Sequence, residues 1–192
     1  MKKLILFGDS NTYGYDPRGF LGGRYPEENR WPSIVRKALG SEFDVIEEGE
    51  NGRTLPSIKS LLLKQLVAEC NFEDYMVMML GTNDILLVDK PDVVEPVMKL
   101  EQILSYIDEN CLGKFILIAP PYISDVYPEL QKYHDCSVDM NSRFMSMSDH
   151  YDIISFDASS WDIPMDSRAS RVPQSGQIKV SLSVRESAGC AV

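Results

Sequence analysis

Five short runs rich in aliphatic and β-branched residues recur along the chain: Lys3 to Gly8, Phe43 to Glu47, Tyr75 to Leu80, Phe115 to Ala119 and Asp152 to Phe156. Longer segments of helical periodicity separate them. Strands alternating with helices pack as parallel neighbours rather than hairpins, so the pattern predicts an α/β domain around a parallel sheet. Helices are expected over Trp31 to Leu39, Ser57 to Glu69, Asp92 to Asn110 and from about Pro128 to His150. In the second, Ile58, Leu61, Leu62 and Leu66 recur at helical spacing. In the third, Val93, Val97, Leu100, Leu104 and Ile107 form one apolar stripe, and in the fourth Tyr133, Met140, Phe144 and Met147 mark the buried side. No internal repeat or linker is found.

A length of 192 residues with 44% hydrophobic side chains fits one globular domain with a sizeable core. The longest apolar stretches, Met76 to Leu80 and Phe115 to Ala119, fall far short of the roughly 20 residues a membrane span needs. Asp9 cuts off the apolar start before a signal-peptide core forms, so a cytoplasmic location without membrane contact is expected. Cys70, Cys111, Cys136 and Cys190 lack CxxC spacing or a neighbouring histidine pair, which argues against a zinc site or a disulfide scaffold. The net charge of −10 argues against a nucleic-acid partner, because phosphate binding relies on clustered Lys and Arg. The acidic runs Glu27-Glu28 and Glu47-Glu48 with Glu50 read as solvated turns. A homo-oligomer is left open.

The texture changes after the fifth strand. From Asp162 to Val192 there is no aromatic residue. Residues 166 to 192 carry four basic and two acidic side chains, net +2, against 15 basic and 27 acidic, net −12, in the remainder. Ile178, Val180, Leu182 and Val184 alternate with period two, where a terminal helix would be expected to complete the domain. The chain is therefore divided into residues 1–161, the α/β domain, and 162–192, an atypical tail of the same domain.

Ligands of a parallel α/β sheet meet the carboxyl ends of the strands. Gly8-Asp9-Ser10 follows the first strand, Gly49-Glu50-Asn51-Gly52-Arg53-Thr54 the second, and Gly81-Thr82-Asn83-Asp84 the third. Together they supply a hydroxyl, a glycine whose N–H can approach closely, and an amide donor. These are the parts of a nucleophile with an oxyanion hole. The expected architecture is a three-layer flavodoxin-like sandwich with a five-stranded parallel sheet in the order 2-1-3-4-5, with Ser10, Gly52 and Asn83 converging at one edge.

The blocks GDSNTYG, VIEEGENGRT and MLGTND resemble those of the SGNH hydrolases, the GDSL esterase and lipase family, from residue 3 to about residue 157. Arg30-Trp31, the string Val45 to Gly49, and Pro120-Pro121 point within it to the arylesterase and acyltransferase subgroup. The resemblance implies Ser10 as nucleophile, with the Ser10 and Gly52 N–H groups and the Asn83 side chain stabilising an oxyanion. Each such donor typically contributes about 3 kcal/mol to the transition state. Asp9 would orient the turn, and Asp9, Tyr13 and Trp31 are assigned to substrate binding. Trp31 and Tyr13 line a pocket or take an ordinary core place; taken alone, Ser10 reads as a helix cap and Asn83 as a turn, but the three blocks in order favour an active site. No metal or organic cofactor is implied.

The family's last catalytic block is DxxH, whose Asp orients the His that deprotonates serine. It is missing. The nearest register places Arg168 at the Asp position and Arg171 at the His position, followed by Val172-Pro173-Gln174-Ser175-Gly176-Gln177. Arginine cannot accept a proton at neutral pH, so this register gives a disabled triad. The other reading is a tail that is out of frame or otherwise altered. The chain's two histidines, His134 and His150, each beside an acidic residue, read as exposed helix positions, and Asp162 and Asp166 have no histidine to orient.

Three functions compete. The first is a serine esterase that hydrolyses or transfers small acyl groups through a Ser10 acyl-enzyme, impaired by loss of the Asp-His pair. The second is a catalytically inactive ligand-binding protein of the same fold. The third, a phosphate or nucleotide binder, lacks a glycine-rich phosphate loop and the basic residues around it.

Overall fold

A computed structural model describes residues 1–17, 23–151 and 153–161. Five strands, β1 (Lys2–Gly8), β2 (Phe43–Gly49), β3 (Tyr75–Met79), β4 (Lys114–Ala119) and β5 (Ile154–Asp157), form one parallel sheet in the order β2-β1-β3-β4-β5. The expected order holds. Strands β1 and β3 lie inside the sheet with both faces covered, which explains their unbroken apolar runs: Leu4, Ile5, Leu6 and Phe7 are at most 1% exposed.

The helices are α1 (Ser10–Tyr13), α2 (Trp31–Leu39), α3 (Leu61–Glu69), α4 (Thr82–Leu86), α5 (Val94–Asn110) and α6 (Gln131–Ser148). Ile5, Phe7, Met76, Met78 and Leu117 face α3, α5 and α6 in one core cluster. Leu4, Leu6, Val45, Val77 and Ile116 pack with α2 in a second cluster on the opposite face. The structure is therefore a three-layer sandwich. Among the described residues, no helix is long and apolar enough to cross a membrane.

Several expectations are corrected. Helix α3 starts at Leu61, not Ser57, because Ser60 caps it: its Oγ accepts from the Leu63 N–H at 3.3 Å. The buried stripe shifts accordingly to Leu63, Leu66, Val67 and Cys70, and Leu61 is 84% exposed. In α6, Met140 and Phe144 are buried as expected, but Tyr133 and Met147 are only partly so. Glu47 and Glu48 belong to β2 instead of a turn, and Glu47 pairs with Arg24 and with Arg30. His134 is half-buried, whereas His150 is exposed beyond the end of α6. Asp152, Asp162, Asp166, Arg168, Arg171 and the whole division at 162–192 lie outside the described residues.

Candidate active site

The site begins at the carboxyl edge of β1. Gly8 pairs with Gly49 on one side and Met79 on the other, so three adjacent strands end level with one another. Beyond Gly8 the chain turns at once into α1. Asp9, with no exposed surface, caps that helix, its Oδ1 accepting from the Asn11 N–H at 2.8 Å. The turn lies so close to the sheet that a Cβ on Gly8 would stand 2.0 Å from Thr12 Oγ1, and one on Gly49 2.3 Å from the Tyr13 backbone nitrogen. Both glycines are thus needed for Ser10 to sit on top of the sheet. Ser10 is the first residue of α1 and is 4% exposed.

The β2 loop forms a tight turn closed by the Arg53 N–H on the Glu50 carbonyl at 3.3 Å, with Gly52 in the left-handed region at φ 78°. Among the described residues nothing lies within 4 Å of where a Gly52 Cβ would be. Arg53 holds this turn in place. Its guanidinium donates to the Gly8 carbonyl at 2.8 Å and to the Glu48 carbonyl, pairs with Glu50 at 2.9 Å, and lies 4.7 Å from the Phe7 ring centroid. Two residues on, the Leu55 N–H donates to Asp84 Oδ2 at 2.8 Å.

Asn83, 1% exposed on α4, closes the group. Its Nδ2 donates to the Arg53 carbonyl at 3.0 Å and reaches Asp9 Oδ2 at 3.4 Å. One N–H is well used and the other only loosely held. The neighbouring Asp84 carboxyl is pushed up by burial, which outweighs the Leu55 N–H and the Lys99 ammonium 3.3 Å away. The structure thus brings Ser10, Gly52 and Asn83 to the ends of three adjacent strands. Sequence reasoning missed Arg53 and Asp84, which fix the two sides of the β2 loop. Only their place inside the GRT and TND blocks could have marked them.

Of the residues expected around the substrate, Asp9 is wholly buried and orients α1. Tyr13 is half-buried; its carbonyl accepts from Arg24 Nε at 2.7 Å and its ring lies 4.2 Å from the Arg24 guanidinium carbon. Trp31, for which a pocket and a core place were both open, is 2% exposed and packs in the core on the α2 face.

The histidines separate. His150 follows the carboxyl end of α6, a helix of 18 residues spanning about 27 Å, and so lies at the sheet edge opposite Ser10. His134 stands near the start of α6, among the segments that follow β4 and β5. Its Nδ1 lies 2.7 Å from the Ile123 carbonyl, so Nδ1 is the donor of that hydrogen bond. It shares a cavity of about 260 Å³ with Tyr122, Ser124, Ser159 and Trp161.

The model of the GDSL-like lipase/acylhydrolase family matches residues 6–176. The chain belongs to this family. Among solved structures, the aryl esterase of M. smegmatis is 20% identical, with a TM-score of 0.76 over 97% of this chain and 99% of that one. A carbohydrate acetylesterase family member from Sinorhizobium meliloti is 25% identical, with a TM-score of 0.73 over 98% and 100% of the two chains. A curated relative, the uncharacterized lipoprotein YqeF of Bacillus subtilis, is 29% identical over 111 residues, 56% of this chain. That match spans 42% of the relative's length. The family is one of lipases and acylhydrolases.

Proposed function

We propose that the protein is a serine esterase for small acyl esters, with Ser10 as nucleophile and the Ser10 N–H, the Gly52 N–H and Asn83 Nδ2 as oxyanion donors. Ser10 Oγ attacks the acyl carbonyl and its proton passes to water, the ester C–O bond breaks, and the alcohol leaves with a proton taken back from water. Water, or a second alcohol, then attacks the acyl-Ser10 ester and releases the acid or a new ester. The loosely held Asn83 N–H turns from Asp9 to the oxyanion as negative charge develops there. The observation that carries this reading is the convergence of Ser10, Gly52 and Asn83 at three adjacent strand ends, tied together through Arg53.

In this reading the chain is slow, because Arg168 and Arg171 stand where the family has the Asp and His of its base. The family match runs to residue 176, past both arginines, which supports a tail in register over one out of frame. The same pair of arginines favours the second reading, a binding protein that keeps the pocket without turnover. A cytoplasmic location belongs to the proposal and is read out by cell fractionation.

Hydrolysis of an activated acetate ester tests the assignment. A chain without its base is expected to retain about 10³ to 10⁴ over water, and Ser10→Ala should change that small rate only modestly. Full turnover that Ser10→Ala abolishes would show that another residue supplies the base, and His134→Ala and His150→Ala would identify it if it is a histidine. No rate above water favours the binding protein.

A further inference from the structure

At the opposite edge of the sheet two of the cysteines meet. Cys70 is the residue that ends α3 and Cys111 the one that ends α5; their N–H groups donate to Val67 and Ile107 carbonyls at 3.3 and 2.8 Å. Both are themselves in extended conformation and lead to the starts of β3 and β4. Cys70 is 1% exposed in the core cluster, and Cys111 packs against that cluster from its rim. Gly113, two residues after Cys111, has room for no side chain, since its Cβ would stand 2.3 Å from Cys70 Sγ. The two thiols are close enough to act on each other electrostatically.

Access to the pair is one-sided. Cys111 lines a cavity of about 400 Å³ with Ile107, Asp108, Gly113, Lys114 and Ile154, whereas Cys70 does not reach it. Asp108 and Lys114 give its wall one charge of each sign, suited to a molecule carrying both ammonium and carboxylate groups.

We propose that Cys70 and Cys111 form a thiol–disulfide exchange site that takes small disulfides of amino-acid thiols, with Cys111 as the attacking and Cys70 as the resolving sulfur. The Cys111 thiolate attacks one sulfur of the small disulfide, whose S–S bond breaks to release one thiolate. Cys70 then loses its proton to that thiolate or to water and attacks the Cys111 sulfur, and the second small thiol leaves. The two protein thiols are oxidised to one disulfide and the small disulfide is reduced to two thiols.

The chemistry of the two groups agrees with this order. The neighbouring Cys70 thiol pulls the Cys111 thiol down to about 7, while the same contact, followed by burial, pushes Cys70 up. A thiol with a pKa near ambient pH is the best attacking group. The cross-link joins the two helix ends away from Ser10, so it should stabilise the fold without altering ester hydrolysis.

The test incubates the full-length reduced protein with glutathione disulfide and maps its peptides by mass spectrometry without reduction. The expected product links the Cys70 and Cys111 peptides, retains no glutathione there, and melts roughly 5–10 °C higher than the reduced protein. Cys70→Ser should trap glutathione on Cys111, and Cys111→Ser should leave Cys70 unmodified. Unlinked Cys70 and Cys111 peptides in the parent, or glutathione held on Cys136 while both remain thiols, would overturn the proposal without any variant having to fold. An unchanged melting temperature in the linked protein would overturn the stabilising role. None of these outcomes depends on esterase activity.

Discussion

The Asn83 side-chain amide donates to the Arg53 carbonyl at 3.0 Å, while the Arg53 guanidinium donates to the Gly8 carbonyl at 2.8 Å. One arginine therefore connects the ends of β1, β2 and β3 and sets the distance between the nucleophile's turn and the amide donor. In a chain without its base, the residual rate rests on the oxyanion donors and on binding. Asn83→Ala is expected to lower hydrolysis of an activated acetate ester more than Ser10→Ala does, toward the 10²-fold or so that one donor contributes. Equal and small effects of both variants would remove Asn83 from the oxyanion site.

Arg53 is a positioning residue. Arg53→Ala should lower kcat with little change in KM, because the turn carrying Gly52 loses its hold on Gly8 and Glu48 while no substrate contact is removed. Arg53→Lys should recover little, since a single ammonium cannot serve two carbonyls and the Glu50 carboxylate in the geometry of a guanidinium. A loss confined to KM would place Arg53 on the substrate instead.

Gly49 and Gly52 are expected to respond differently to alanine. At Gly49 the new Cβ would press on the Tyr13 backbone, which cannot move aside like a flexible side chain, so α1 must shift. Denaturant unfolding should show a loss of about 1–3 kcal/mol, with the ester rate falling as Ser10 moves. At Gly52 no described residue lies within 4 Å of the new Cβ, and the cost expected is that of the left-handed backbone, about 1 kcal/mol.

Asp74 gives the fold a defined acid limb. Burial pushes its carboxyl up, but the Lys3 N–H at 2.7 Å, the Asn71 N–H at 2.9 Å and the Asn71 side chain at 3.2 Å outweigh it, and the net shift is downward. A folded value below the unfolded one gives stability that is fully present above about pH 4 and is lost as the pH falls through the folded value. Asp74→Ala should cost about 2–4 kcal/mol at neutral pH by leaving the Lys3 and Asn71 donors unpaired. It should also flatten the loss of stability below pH 4 in urea titrations, and an unchanged acid limb would contradict the assignment.

Much of this arrangement was legible in the chain. The strand runs and α2 stood out because central strands are apolar throughout and an amphipathic helix is periodic; α2 spans Trp31–Leu39 as expected. The three edge blocks were legible because glycine is required wherever a helix turn rests on a strand end. The start of α3 was misread because Ile58 continues the apolar spacing although Ser60 caps the helix. Arg53 looked like one more charged loop residue, since its partners are backbone carbonyls that leave no mark in the sequence. The meeting of Cys70 with Cys111 was hidden for a topological reason. Residues far apart in the chain become neighbours only because β3 and β4 are adjacent and both crossover helices end at the same edge.

The most direct test of the account is the rate of acetate ester hydrolysis after Arg168→Asp and Arg171→His are introduced together, measured with Ser10 intact and with Ser10→Ala added. A tail in register makes the pair an Asp-His base for Ser10, and triad members act as a unit. The account predicts a gain of orders of magnitude for the double variant, less for either single one, and loss of the whole gain when Ser10 is removed. A folded double variant as slow as the parent, or a gain that survives Ser10→Ala, would contradict it.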